Sequence, residues 1–320
     1  MNRKAKTDST EREEALIANP IYDHVFKYLM EDNKVARKFI SAIIGEDVTE
    51  LSFAPQEYVR EVDAAEKSFS IYRLDFLARI RTDDGSKVVM IEVQKVSLRT
   101  DIMRFRYYLG GQYRNRDNSY TDPEGAVHAM PIYCIFFIGE GLSVKGVPVM
   151  AVNPQTEDVA TRQVLKDLRN EFVESLHHRS WIVQIPELKG RRRNDLEILL
   201  SIFDQANRMS DHHILNIREE RFPEKYRPII RRLQQAASDR NVREAMQMED
   251  DILEHFRIEE RMTRFQLAEK DAIITEKDAI ITEKDAVITE KDKIIAREQA
   301  EKEALLTELA TLKTRTKTDK

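Results

Sequence analysis

The sequence predicts an α/β domain, a sheet layered with helices, followed by a helical extension and a long heptad-repeat helix. Three observations carry this expectation. Helical and strand periodicities succeed one another from about residue 20 as helix, strand pair, helix, strand. The run PIYCIFFIG (131–139) is apolar on both faces, as befits a strand in the middle of a sheet covered on both sides. From Ala268 a seven-residue unit recurs as AEKDAII, TEKDAII, TEKDAVI and TEKDKII.

Residues 1–19 are charged and poor in apolar side chains, so a disordered or frayed lead is expected there, with the domain itself spanning 20–215. In IYDHVFKYLM, Ile21, Val25, Tyr28 and Leu29 fall at helical spacing. KVARKFISAIIG continues the pattern until Gly45 stops it, giving two short amphipathic helices. IYRLDFLARI (71–80) alternates apolar and polar residues, TDDGS supplies turn residues, and KVVMIEVQKV (87–96) is a second strand of buried character, so the two form a hairpin. TDIMRFRYYLGGQYRNR then has helical periodicity through Ile102, Phe105, Tyr108 and Leu109, with Thr100 as its N-cap. After the apolar strand, VPVMAV and SWIVQIPEL are further strands, and NDLEILLSIFDQANRM is a helix that closes the domain. Residues 216–265 read as a helical extension and 266–320 as the heptad helix. The heptads place paired apolar residues at Ile273/Ile274, Ile280/Ile281, Val287/Ile288 and Ile294/Ile295. These are adjacent rather than three and four apart, so the helix suits either homo-oligomerisation or a solvated life with Glu and Lys pairs.

The charge balance and the cysteine content narrow the function classes. A net charge of −5 argues against a generally basic nucleic-acid binder but leaves room for local patches such as GRRRN (190–194) and RPIIRR (227–232). The single cysteine, Cys134, sits within IYCIFFI and reads as a buried apolar residue, which excludes a disulfide framework or a cysteine-cluster zinc site and fits a cytoplasmic protein. No export signal and no membrane segment is expected. Neither a glycine-rich phosphate loop nor a Ser/His/Asp spacing is present, which argues against ATPase and acyl-transfer chemistry. The adjacent pairs His177/His178 and His212/His213 are expected to diverge on a regular helix or strand and so not to share a metal, and Trp181 is expected in the core.

The run VVMIEVQK (88–95) carries a carboxylate and an amide among buried residues. Glu92 and Gln94 share one strand face, Val93 and Lys95 the other. Hairpin pairing brings Asp75 beside Glu92, so two carboxylates and an amide converge. Like charges at that spacing are unfavourable without a cation, and oxygen ligands suit Mg²⁺ or Mn²⁺ better than zinc. The residues equally allow a polar trio at a sheet edge, satisfied by water or by Arg73 and Arg79.

Asp75, sixteen residues, then Glu92-Val93-Gln94, preceded by DHVFKYLM and followed by RFRYYLGGQY and MPIYCIFFIG, resembles the PD-(D/E)XK nuclease superfamily. The set is most similar to its transposase-associated branch, related to the recombination-promoting nucleases, and covers residues 19–209. The resemblance implies a restriction-endonuclease-like mixed sheet flanked by helices, which hydrolyses DNA phosphodiesters with Mg²⁺ or Mn²⁺. It implies Asp75 and Glu92 as metal ligands and Gln94 in the place of the superfamily lysine. Glutamine can orient an attacking water but cannot offset developing negative charge, so Lys27 or Arg104 becomes the candidate cation, because Lys95 faces away. Arg104, Arg106 and Tyr108 are candidate phosphate contacts, each with a competing reading as surface ion pair or core aromatic. Asp23 could add an outer carboxylate, but an N-cap role is the stronger expectation. A catalytically inactive DNA-binding module or an oligomeric scaffold on the same fold is the alternative function.

Overall fold

The computed structural model describes residues 14–54, 57–59, 71–73, 75–94, 101–142, 144–165, 168 and 170–318. The chain divides into two compact units, Met1–Asp250 and Asp251–Lys320. The first opens with strand β1 (Glu14–Ala18), then helices α1 (Asp23–Met30) and α2 (Asn33–Ile44). Asp32 caps α2 by accepting from the amides of Lys34 and Val35, and Gly45 ends it at φ 75°, in the left-handed region that glycine enters without strain. Strands β2 (Glu50–Phe53), β3 (Glu57–Val59), β4 (Ile71–Arg73), β5 (Phe76–Thr82) and β6 (Gly85–Gln94) follow. After them come helix α3 (Asp101–Arg114) and strands β7 (Ser119–Thr121), β8 (Val127–Ala129), β9 (Ile132–Ile138) and β10 (Val149–Val152). Helix α4 (Glu171–Ser175), strand β11 (Arg179–Gln184), helix α5 (Asp195–Leu200), strand β12 (Ile214–Arg218) and helices α6 (Arg227–Ser238) and α7 (Arg240–Thr318) complete the described chain.

Six strands form one mixed sheet in the order β10-β11-β9-β6-β5-β2. β6 runs antiparallel to β5 and parallel to β9, so the apolar run 132–138 does lie inside the sheet. Strand alternation separates two apolar layers. Phe76, Ala78, Ile80, Val89 and Ile91 join α1, α2 and α6 in the main core, while Leu77, Val88 and Met90 join Tyr108 of α3 in a smaller one. The architecture is therefore α/β with a mixed sheet flanked by helices, and the heptads lie on one continuous C-terminal helix whose Ile and Val pairs are exposed in the single chain.

Several expectations need correction. Residues 14–18, read as lead, form β1 and pair antiparallel with β12, Glu14 opposite Arg218 through Ala18 opposite Ile214. The first unit accordingly does not end at 215. α6 buries Ile229, Ile230, Leu233 and Ala236 in the main core, and Val242 and Met246 of α7 join them, so the extension is part of the domain. The single helix expected at 194–209 is the six-residue α5 followed by two 3-10 turns, Ser201–Phe203 and Gln205–Asn207. The strand expected over 71–80 is interrupted: β4 pairs with β3 in a separate ribbon, and β5 begins after a bend at Asp75. Thr100, the expected cap of α3, and Lys95 lie outside the described residues.

Phe26, Phe39, Phe137 and Phe203 meet at the centre of the main core, with Phe137 stacked on Phe203 at 4.5 Å and on Phe39 at 5.9 Å between ring centroids. Truncating Phe137 leaves a void that rigid neighbours on β9, α1 and α2 cannot fill. Phe137→Ala should lower unfolding free energy by about 3–5 kcal/mol, measured by denaturant titration; a loss below about 1 kcal/mol would show that this cluster is not central to stability.

Candidate active site

The end of β6 gathers the residues singled out in the sequence. Extending the Phe76–Ile91 register by one step sets Asp75 opposite Glu92, and the Val93 amide donates to Asp75 Oδ2 at 2.6 Å. Both carboxylates are buried, Asp75 at 8% and Glu92 at 7% exposure. Gln94, two residues on, is half-buried, and its carbonyl accepts from the Gly139 amide at 2.7 Å, which ties the end of β6 to the end of β9. Asp75, Glu92 and Gln94 thus gather at one end of the central strand, as the alternation of the sequence requires.

A third carboxylate joins from α1. Asp23 is the first residue of that helix and does not cap it; the N-cap is Tyr22, which makes no side-chain capping bond. The Asp23 side chain instead accepts from Lys27 Nζ at 2.6 Å, one helical turn on, and also meets the Asp75 carboxyl. Burial, then the charge of Glu92, then that of Asp23, push the Asp75 carboxyl well above the ordinary carboxylate range, and the Val93 amide only partly offsets them. The two charges that raise Asp75 are thus both carboxylates, and the side chain of Arg73 lies outside those described. Within the sheet, Arg79 lies four residues along β5 from Asp75, opposite Val88.

Oxygen-only donors and the crowding of three carboxylates fit a hard divalent cation such as Mg²⁺ or Mn²⁺. Asp75 and Glu92 would hold it, with Asp23 as a further carboxylate. Lys27 approaches this cluster through Asp23. The side chain of Arg104 lies outside those described, and Arg106 is exposed on α3. Tyr108 needs correction as a phosphate contact: it is 0% exposed and packs with Leu77, Met90 and Cys134 beneath the sheet, where no backbone phosphate can reach.

The two basic patches are largely neutralised within the fold. Arg193 pairs with Glu197 at 2.5 Å and Arg192 with Asp204 at 3.6 Å. Arg232 pairs with Glu31 at 3.6 Å and covers the Tyr28 ring. Broad clefts open at the other end of β6, around Lys87, Tyr133 and Arg179. There, Glu46, missed in the sequence, accepts from Lys87 at 2.7 Å, Tyr133 at 2.9 Å and Arg179 at 3.2 Å. Burial alone would raise the Glu46 carboxyl, but the bonds from Lys87 and Tyr133 outweigh it and hold it below the usual value. This network is saturated with partners, as befits a structural ion cluster, and Trp181 packs in the core beside it against Tyr133. His212 and His213 also depart from expectation: their rings lie 4.4 Å apart and both reach Asp250.

Comparison of the chain with protein-family models, with curated proteins and with solved structures returned no significant match.

Because folding raises the proton affinity of Asp75, this group favours the folded state below the ordinary carboxylate range, and that contribution is lost as pH rises through the raised value. Asp75→Asn keeps the shape and an acceptor for the Val93 amide but removes the charge. In chelator, the variant should therefore melt above wild type near neutral pH, by about 2–4 °C for each kcal/mol recovered, with the gap closing on acidification. A variant that melts lower at neutral pH would show that Asp75 is already compensated.

Proposed function

We propose that this chain is a divalent-metal-dependent DNA endonuclease of the PD-(D/E)XK superfamily, with a restriction-endonuclease-like core of the transposase-associated branch. The observation that carries the reading is the burial of Asp75 against Glu92 and Asp23, an unfavourable arrangement that packing alone does not explain. The six-strand mixed sheet flanked by helices is compatible with it.

In this reading Asp75 and Glu92 would hold Mg²⁺ or Mn²⁺, which would supply Lewis acidity toward water and the scissile phosphate. The chain's own groups do the remaining work. The Gln94 amide orients the attacking water and, being neutral, leaves developing negative charge to a cation. Lys27 supplies that cation from α1 once Asp23 releases it. Arg106, exposed on α3, contacts the DNA backbone, and Arg104 on the same helix is a further phosphate contact. Asp75 at its raised value must give up its proton before it can act as a ligand, so cleavage should increase from acid toward neutral pH. We place the protein in the cytoplasm, in a role linked to transposition or recombination. No helix among the described residues is long and apolar enough to cross a membrane. We further assign homo-oligomerisation to the heptad helix, whose apolar pairs repeat every seven residues and stand exposed.

Asp75→Asn and Glu92→Gln should each lower Mg²⁺-dependent nicking of supercoiled plasmid by at least about 100-fold, whereas Gln94→Lys should retain it. Wild-type protein that nicks with neither Mg²⁺ nor Mn²⁺, yet shifts DNA in EDTA, would replace this reading with that of an inactive DNA-binding module. A chain ending at Arg264 should still nick but sediment as a smaller species at matched concentration. An unchanged sedimenting mass would remove the assembly role from the tail.

A further inference from the structure

We propose that His212, His213 and Asp250 form a second metal site, selective for Zn²⁺ or a similar late first-row divalent ion and separate from the carboxylate cluster. One ligand atom from each of the three residues lies within 4.8 Å of the other two. His212 Nε2 is 2.6 Å and His213 Nε2 3.0 Å from the same carboxylate oxygen, Asp250 Oδ2. Donors of a tetrahedral zinc ion with bonds of about 2.0 Å stand about 3.3 Å apart, within about 1 Å of both histidine–carboxylate distances, and the three donors lie within 4.8 Å of one another. Two imidazoles and one carboxylate suit zinc, cobalt or nickel and disfavour Mg²⁺, which seeks oxygen ligands alone.

The surroundings prearrange these ligands. The histidines occupy a turn just before β12, where the chain is not regular strand and adjacent side chains can converge. Asn19, fully buried, holds both carbonyls of that turn: its side-chain amide donates to His212 O at 3.1 Å and its backbone amide to His213 O at 2.8 Å. Asp211 Oδ1 lies 3.2 Å from His213 Nδ1, the carboxylate partner that turns the opposite nitrogen, Nε2, toward a metal. The Tyr22 hydroxyl donates to Asp250 Oδ2 at 2.9 Å and fixes the third ligand. His212 is half-exposed, which gives an ion an entry route from solvent.

The site differs from the proposed nuclease centre in ligand chemistry, and the two can be tested apart. Full-length protein stripped with chelator should take up one equivalent of Zn²⁺ at this site by calorimetry. A hundredfold excess of Mg²⁺ should not displace it, and Co²⁺ in its place should show the ligand-field absorption of a four-coordinate ion. His212→Ala, at an exposed position outside the core, should weaken Zn²⁺ binding by more than about 100-fold with unchanged circular dichroism, and Asp250→Asn should do the same. Asp75→Asn should leave this equivalent intact. Failure of the wild type to retain Zn²⁺, or binding by His212→Ala as tight as by wild type, would overturn the proposal; loss of the equivalent in Asp75→Asn would relocate the zinc to the carboxylates.

Discussion

The constraint on which the rest of the structure depends is the position of β6 between two apolar layers. One set of its side chains enters the main core with α1, α2 and α6, and the other meets α3. A slip of one residue against β5 or β9 would exchange the sets and carry Glu92 into the phenylalanine cluster. Packing therefore fixes the register, and the register in turn fixes Asp75 opposite Glu92. The polar cluster inherits its geometry from apolar contacts that it does not itself make.

The two ends of β6 handle buried charge in opposite ways. At its start, Lys87 meets Glu46 while Tyr133 and Arg179 supply further donors, so negative charge is matched by cations and hydroxyls. At its end, Asp75, Glu92 and Asp23 meet with Lys27 as the cation bonded to Asp23. The first arrangement is what a fold uses for rigidity. The second keeps one carboxyl reluctant to ionise, a perturbation of the kind that clusters at functional sites but also occurs in structural ion networks.

Much of this was legible in local patterns. Alternation in 76–94, the turn residues at Asp83 and Asp84, the twofold apolar character of 132–138 and the heptads each specify an element through neighbours a few residues away, and each is present. β1 escaped because EALIA is short, follows a charged stretch and becomes a strand only through β12. Asp23 was misread because position at a helix start suggested a cap, whereas its side chain turns to Lys27 and Asp75. The histidine cluster escaped for two reasons. Regular geometry separates adjacent side chains, but these occupy a turn, and their carboxylate partner comes from a helix 37 residues further along the chain.

The pairing of β1 with β12 has a consequence for synthesis. Strand residues 14–18 leave the ribosome before their partner at 214–218, which follows roughly 200 residues later, about 10–40 s at ordinary elongation rates. Throughout that interval β1 carries unpaired amides and carbonyls, together with Ile17 and Ala18, which are fully buried once folded. Closure of the domain thus awaits the last of its strands, and a nascent chain stalled before residue 214 would present an open β-edge to chaperones or to neighbouring nascent chains.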